Sequence, residues 1–84
     1  MASAAELKTR YLALQQDADF ALWRAREANA EAQEAYQRAL AGDGPPPSAE
    51  QLAEMRQLEQ QAEAKYRDLR EFLRGHFEQL AVLA

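Results

Sequence analysis

Ten residues in the first half of the chain recur at alternating steps of four and three. All ten are apolar: Leu7, Tyr11, Leu14, Ala18, Ala21, Ala25, Ala28, Ala32, Ala35 and Ala39. In a chain that is 48% hydrophobic, such a ladder arises by chance in roughly one register per thousand. The step describes one stripe along an α-helix and fits no strand, whose faces alternate every second residue. Seven successive rungs are alanine, so a second helix can approach more closely than a leucine seam permits.

The first helix is expected over about residues 4–41. Ser3 followed by Glu6 has the form of a capping box, and Leu7 opens the ladder directly after it. From there to Ala41 no proline or glycine occurs, and the stretch is rich in Ala, Glu, Gln, Leu and Arg, the strongest helix formers. Acid-first pairs at Glu6–Arg10 and Glu34–Arg38 support it. Gly42 can take the left-handed conformation that ends a helix, and Asp43-Gly44-Pro45-Pro46-Pro47 forbids continuation. A turn is therefore expected over 42–48.

Ser48 and Gln51 form a second capping-box pair, opening a helix over about 49–82. Its ladder runs Leu52, Met55, Glu59, Ala62, Tyr66, Leu69, Leu73, His76, Leu80 and Leu83, eight of them apolar. Glu63–Arg67 repeats the acid-first pairing. Gly75 costs about 1 kcal/mol relative to alanine inside a helix. Because Leu80 and Leu83 stay in phase beyond it, the helix is expected to continue unbroken; the alternative is a stop at Arg74.

Two helices joined by a short corner must pack antiparallel. The expected fold is thus all-α: a single domain over residues 1–84, a two-helix hairpin with an alanine-rich, coiled-coil-like seam. Folding about residues 45–47 sets Ala25 and Ala28 against Tyr66 and Leu69, and Ala18 and Ala21 against Leu69, Leu73 and His76. At the open end Leu7, Tyr11 and Leu14 meet Leu80 and Leu83.

One hairpin of this kind buries little. An alanine seam at about 25 cal/mol per Å² hardly offsets roughly 1.5 kcal/mol of ordering entropy per residue. Large apolar groups also lie off the ladder. Phe20 and Trp23 form an i,i+3 pair pointing nearly opposite the alanine stripe, with Leu12 close by, and Leu22, Tyr36 and Leu40 flank it. Leu58 and Phe72 do the same on the second helix, and Phe77, Leu80 and Leu83 make an apolar end. Two-fold pairing into a four-helix bundle would cover them. The candidate interface is therefore Leu12, Phe20, Leu22, Trp23, Tyr36, Leu58, Phe72, Phe77, Leu80 and Leu83, and the expected partner is a second copy or an unidentified protein.

Composition narrows the chemistry. The chain has no cysteine and a net charge of −4, with fourteen acids against ten bases, which excludes thiol chemistry and disfavours nucleic acid and anionic membrane as partners. The start, Met1-Ala2-Ser3-Ala4-Ala5-Glu6-Leu7-Lys8, lacks the order of a signal peptide. No run approaches the roughly 20 apolar residues of a membrane span, and a soluble cytoplasmic chain is expected. His76 is the lone histidine, and no Glu-x-x-His spacing accompanies it; it reads as a polar rung, not a metal ligand. Glu59, the one acidic rung, reads as a group that snorkels to water or sets register. Asp17, Asp19, Arg24 and Arg26 read as a solvated surface. Arg56, Arg67, Arg70 and Arg74 share one side of the second helix, with Glu63 and Glu78 among or beside them, so a salt-bridged surface is preferred to a phosphate groove. No phosphate-binding glycine loop or nucleophile motif is present. No catalytic residue, metal site or cofactor is expected.

In size and shape the chain resembles small bacterial helical hairpins: secretion-needle subunits, Trp-x-Gly secreted dimers and small co-chaperones. Trp-x-Gly proteins carry that motif in the turn, whereas here Trp23 lies within a helix. The stretch Pro47-Ser48-Ala49-Glu50-Gln51-Leu52-Ala53-Glu54 is faintly similar to the turn and second-helix start of needle subunits, and equally to any capped Ala/Glu-rich helix. The function expected from the residues is a non-enzymatic helical interaction or scaffold protein. The shape resemblance implies a second reading, a secretion-associated subunit or co-chaperone. A third, an enzyme with its site shared across a bundle dimer, would need a polar pocket around Glu59, His76 or an arginine.

Overall fold

A computed structural model describes residues 3–82. Helix α1 spans Ala4–Leu40 and helix α2 spans Ala49–Ala81, and the two pack against each other with no strand among the described residues. The result is a rod with extents of 59 × 20 × 15 Å and a radius of gyration of 18.4 Å, against about 12 Å for a compact chain of this length.

Local chemistry sets the ends of both helices. Ser3 Oγ accepts from the Glu6 amide at 3.2 Å, satisfying one of the amides that the first turn leaves free. At α2 the box is closed in both directions: Ser48 Oγ accepts from Gln51 N at 3.1 Å, and Ser48 N donates to Gln51 Oε1 at 2.8 Å. Helix α1 ends in a Schellman motif. Gly42 sits at φ +79°, its amide donates to Ala39 O at 3.1 Å, and Asp43 N donates to Arg38 O at 2.8 Å. That left-handed residue would cost roughly 1–2 kcal/mol with a side chain.

The seam lies where the ladder puts it. All ten rungs of α1 are buried or half-buried, with Ala18 fully out of solvent, as are the nine α2 rungs from Leu52 to Leu80. Leu83 lies outside the described residues. At the centre Ala25, Leu58 and Ala62 form the core cluster, with Ala21 and Ala28 packed against it.

The register differs from the expected one by about two turns. Asp19, not Ala25 or Ala28, holds Tyr66, and Asn29 faces Met55. The cause is the proline corner. From Asn29 to Leu40 helix α1 climbs about 16 Å, whereas from Met55 back to Ala49 helix α2 accounts for about 9 Å. The connector must therefore run back along α1 before α2 starts. Proline-rich backbone advances about 3.1 Å per residue, twice the helical rise, so Pro45–Ser48 covers the difference in few residues. Pro47 is buried in doing so.

Helix α2 is kinked rather than unbroken. His76 adopts φ −130° and ψ 15°, outside the helical region, and helix resumes after it to Ala81. The break falls directly after Gly75, the residue with the weakest helical preference in the segment. His76 Nδ1 lies 3.0 Å from Phe72 O. The carbonyl can only accept, so Nδ1 carries the proton and the ring caps the turn before the kink.

Candidate interaction site

The Phe20–Trp23 pair is stacked, with ring centroids 6.0 Å apart and planes at 24°. Phe20 is 60% and Trp23 54% exposed. The two rings do not point away from the partner helix as a simple wheel suggests. They form the outer rim of a groove of about 280 Å³ between α1 and α2. Ala28, Ala32, Met55 and Leu58 make its floor, and Glu27, Glu31 and Glu54 with Arg24 stand on its walls. Apolar floor, aromatic anchor and charged border are the parts from which protein interfaces are built.

A second groove, about 720 Å³, runs along the other side of the seam. Leu22, Ala25 and Ala62 floor it, and Glu59, Glu63, Tyr66, Arg67 and Arg70 line it. From its lining the Tyr66 hydroxyl donates to Asp19 Oδ1 of the other helix at 2.7 Å. This bond, then lost hydration and the carboxylate's charge, push the phenol above its ordinary value of 10.0, with Arg26 opposing. Asp19, read from sequence as solvated surface, is thus a cross-helix tie. Nothing at sequence level marks it, because the partner lies 47 positions away and depends on the register.

The ten expected interface residues divide into groups. Leu12, Phe20, Trp23, Tyr36 and Phe77 are exposed, and Leu22 and Leu80 are half-buried. Leu58 is 8% exposed and belongs to the seam itself. The alanine rungs bring the helices close enough that a residue flanking the ladder is covered within the chain. Phe72 is also drawn inward: its ring packs on His76 with centroids 4.5 Å apart, and the Arg10 guanidinium lies 5.9 Å from its centre. Leu83 cannot be placed, lying outside the described residues.

Among the described residues no cluster of three or more His, Asp or Glu side chains could hold a metal ion. His76 is tied to a backbone carbonyl and an aromatic ring, and it does not line the groove that holds Glu59. No described helix is long and apolar enough to cross a membrane. Compared with family models, curated proteins and solved structures, the chain matches none.

Proposed function

We propose that this chain is a non-enzymatic helical interaction protein that acts by self-association, its smallest assembly being two hairpins forming a four-helix bundle. The observation that carries this reading is the Phe20–Trp23 stack, more than half exposed on the rim of an apolar-floored groove. Large stacked aromatics on a monomer's surface mark a site that another protein covers.

Surface area supports it. The hairpin exposes 6587 Å² at 9.5 kDa, about 1,500 Å² more than a compact monomer of that mass. That surplus is about twice the roughly 800 Å² that one chain contributes to a standard protein interface. The core points the same way. Its buried residues are small or few, and no large side chain among them is fully enclosed. Association would then add to a stability that the single hairpin supplies only thinly.

Sedimentation velocity across a concentration series tests the reading. A mass of at least two chains is expected, and Trp23→Ala should weaken association at least about tenfold, the effect of losing one aromatic anchor. A stable monomer over the whole series would overturn the proposal.

A further inference from the structure

We propose that copies of this chain associate through opposite sides, the Trp23 side of one hairpin lying on the arginine side of the next. This rests on the self-association reading and specifies its surfaces. On the Trp23 side three carboxylates, Glu27, Glu31 and Glu54, border the groove against the single guanidinium of Arg24. On the other side Arg67 and Arg70 line the groove floored by Leu22 and Ala25. Arg26 stands close enough to Tyr66 to act on its proton. Helical spacing places Arg56 and Arg74 on the same stripe as Arg67 and Arg70. Five arginines there stand against four carboxylates, Glu59, Glu63, Glu78 and Asp19, so this side is net positive where the Trp23 groove is net negative.

Same-side pairing would set an acidic rim on an acidic rim, or one arginine stripe on another, and like-charge contact is strongly disfavoured. Opposite sides match. Each is a groove floored by alanines, with the Phe20–Trp23 stack on one and Leu22 on the other. The surplus surface of the hairpin, about 1,500 Å², matches two such contacts per copy at roughly 800 Å² each. Because the contact uses a different patch on each copy, it is heterologous, and a third hairpin can join by the same geometry to give a ring or a row. It replaces the two-fold dimer expected from sequence.

Charge exchange tests this on the full chain. The variant E27K/E31K has two basic sides, and R67E/R70E has two acidic sides. Each alone should lose self-association by at least about thirtyfold, with helicity by circular dichroism unchanged. An equimolar mixture should recover the wild-type assembly, because each altered side then meets its opposite. Should a reversal unfold the hairpin, the neutral pairs E27Q/E31Q and R67Q/R70Q are read instead, each expected to weaken association and flatten its salt dependence. A wild-type-like assembly from R67E/R70E alone would overturn the pairing, as would a mixture that stays monomeric. A wild-type chain that never associates overturns the self-association reading itself.

Discussion

Replacing Leu58 with alanine separates a side chain that holds the hairpin together from one that waits for a partner. Leu58 lies in the core cluster with Ala25 and Ala62 and is 8% exposed. Truncation removes three carbon groups at about 0.8 kcal/mol each, so the transfer term alone is about 2.4 kcal/mol. A cavity term adds to it, because neighbouring alanines are too short to refill the space. For 84 residues, unfolding entropy of about 2.1 cal/mol/K per residue converts this loss into a fall of roughly 14 °C in melting temperature. Leu40→Ala is the control, since Leu40 is 89% exposed and its truncation should stay within about 0.5 kcal/mol. Both are measured by circular dichroism melts at one protein concentration, because association raises apparent stability with concentration. A Leu58→Ala melt within about 3 °C of wild type, or a Leu40→Ala loss as large, would refute the placement of the seam.

Two further outcomes follow from local geometry. A methyl group at Gly75 meets nothing within 4 Å, so Gly75→Ala should raise stability by about 0.5–1 kcal/mol in a thermal melt; destabilisation would show that the kink is required by the packing around His76. The Tyr66 phenol is raised above 10.0 in the folded hairpin by its bond to Asp19. As pH rises past 10 the unfolded chain releases this proton first, so the contribution is complete below pH 10 and disappears as pH climbs through the folded value. Phenolate absorbance should therefore show Tyr66 titrating late, and Asp19→Asn should return it toward the ordinary range; an unchanged titration curve would contradict the bond.

The helices and their contact face were legible because local rules decide them. Ser3, Ser48 and Gln51 cap where their side chains must, Gly42 ends α1 where only a left-handed residue fits, and the three-four step names the seam. Register was not legible. It depends on how many ångströms Pro45–Pro47 cover, and counting residues treats proline backbone and helix alike. The Asp19–Tyr66 tie and the inward turn of Phe72 depend on that register and were hidden with it. Leu58, a flank residue of the candidate interface by sequence, lies in the seam because a wheel drawn for one helix omits how closely an alanine seam lets the other approach. Gly75 weakened its segment as its type predicts, yet the outcome was a kink with helix beyond it, neither an unbroken helix nor a stop. The candidate site was half legible: Phe20 and Trp23 stand out by size and position, while the carboxylate rim facing them is assembled from both helices and has no signature along the chain.

Methyl cross-relaxation by NMR tests most directly the claim that two specific rows of residues face each other. Labelled chain is diluted into unlabelled protein, so that only contacts within one hairpin are seen. The Ala28 methyl should show cross-peaks to the methyls of Leu58, since Ala28 packs on the core cluster that holds Leu58 and both line one groove. Cross-peaks from Ala28 to Leu69 with none to Leu58 would contradict the register, and with it both grooves and every surface assigned to them.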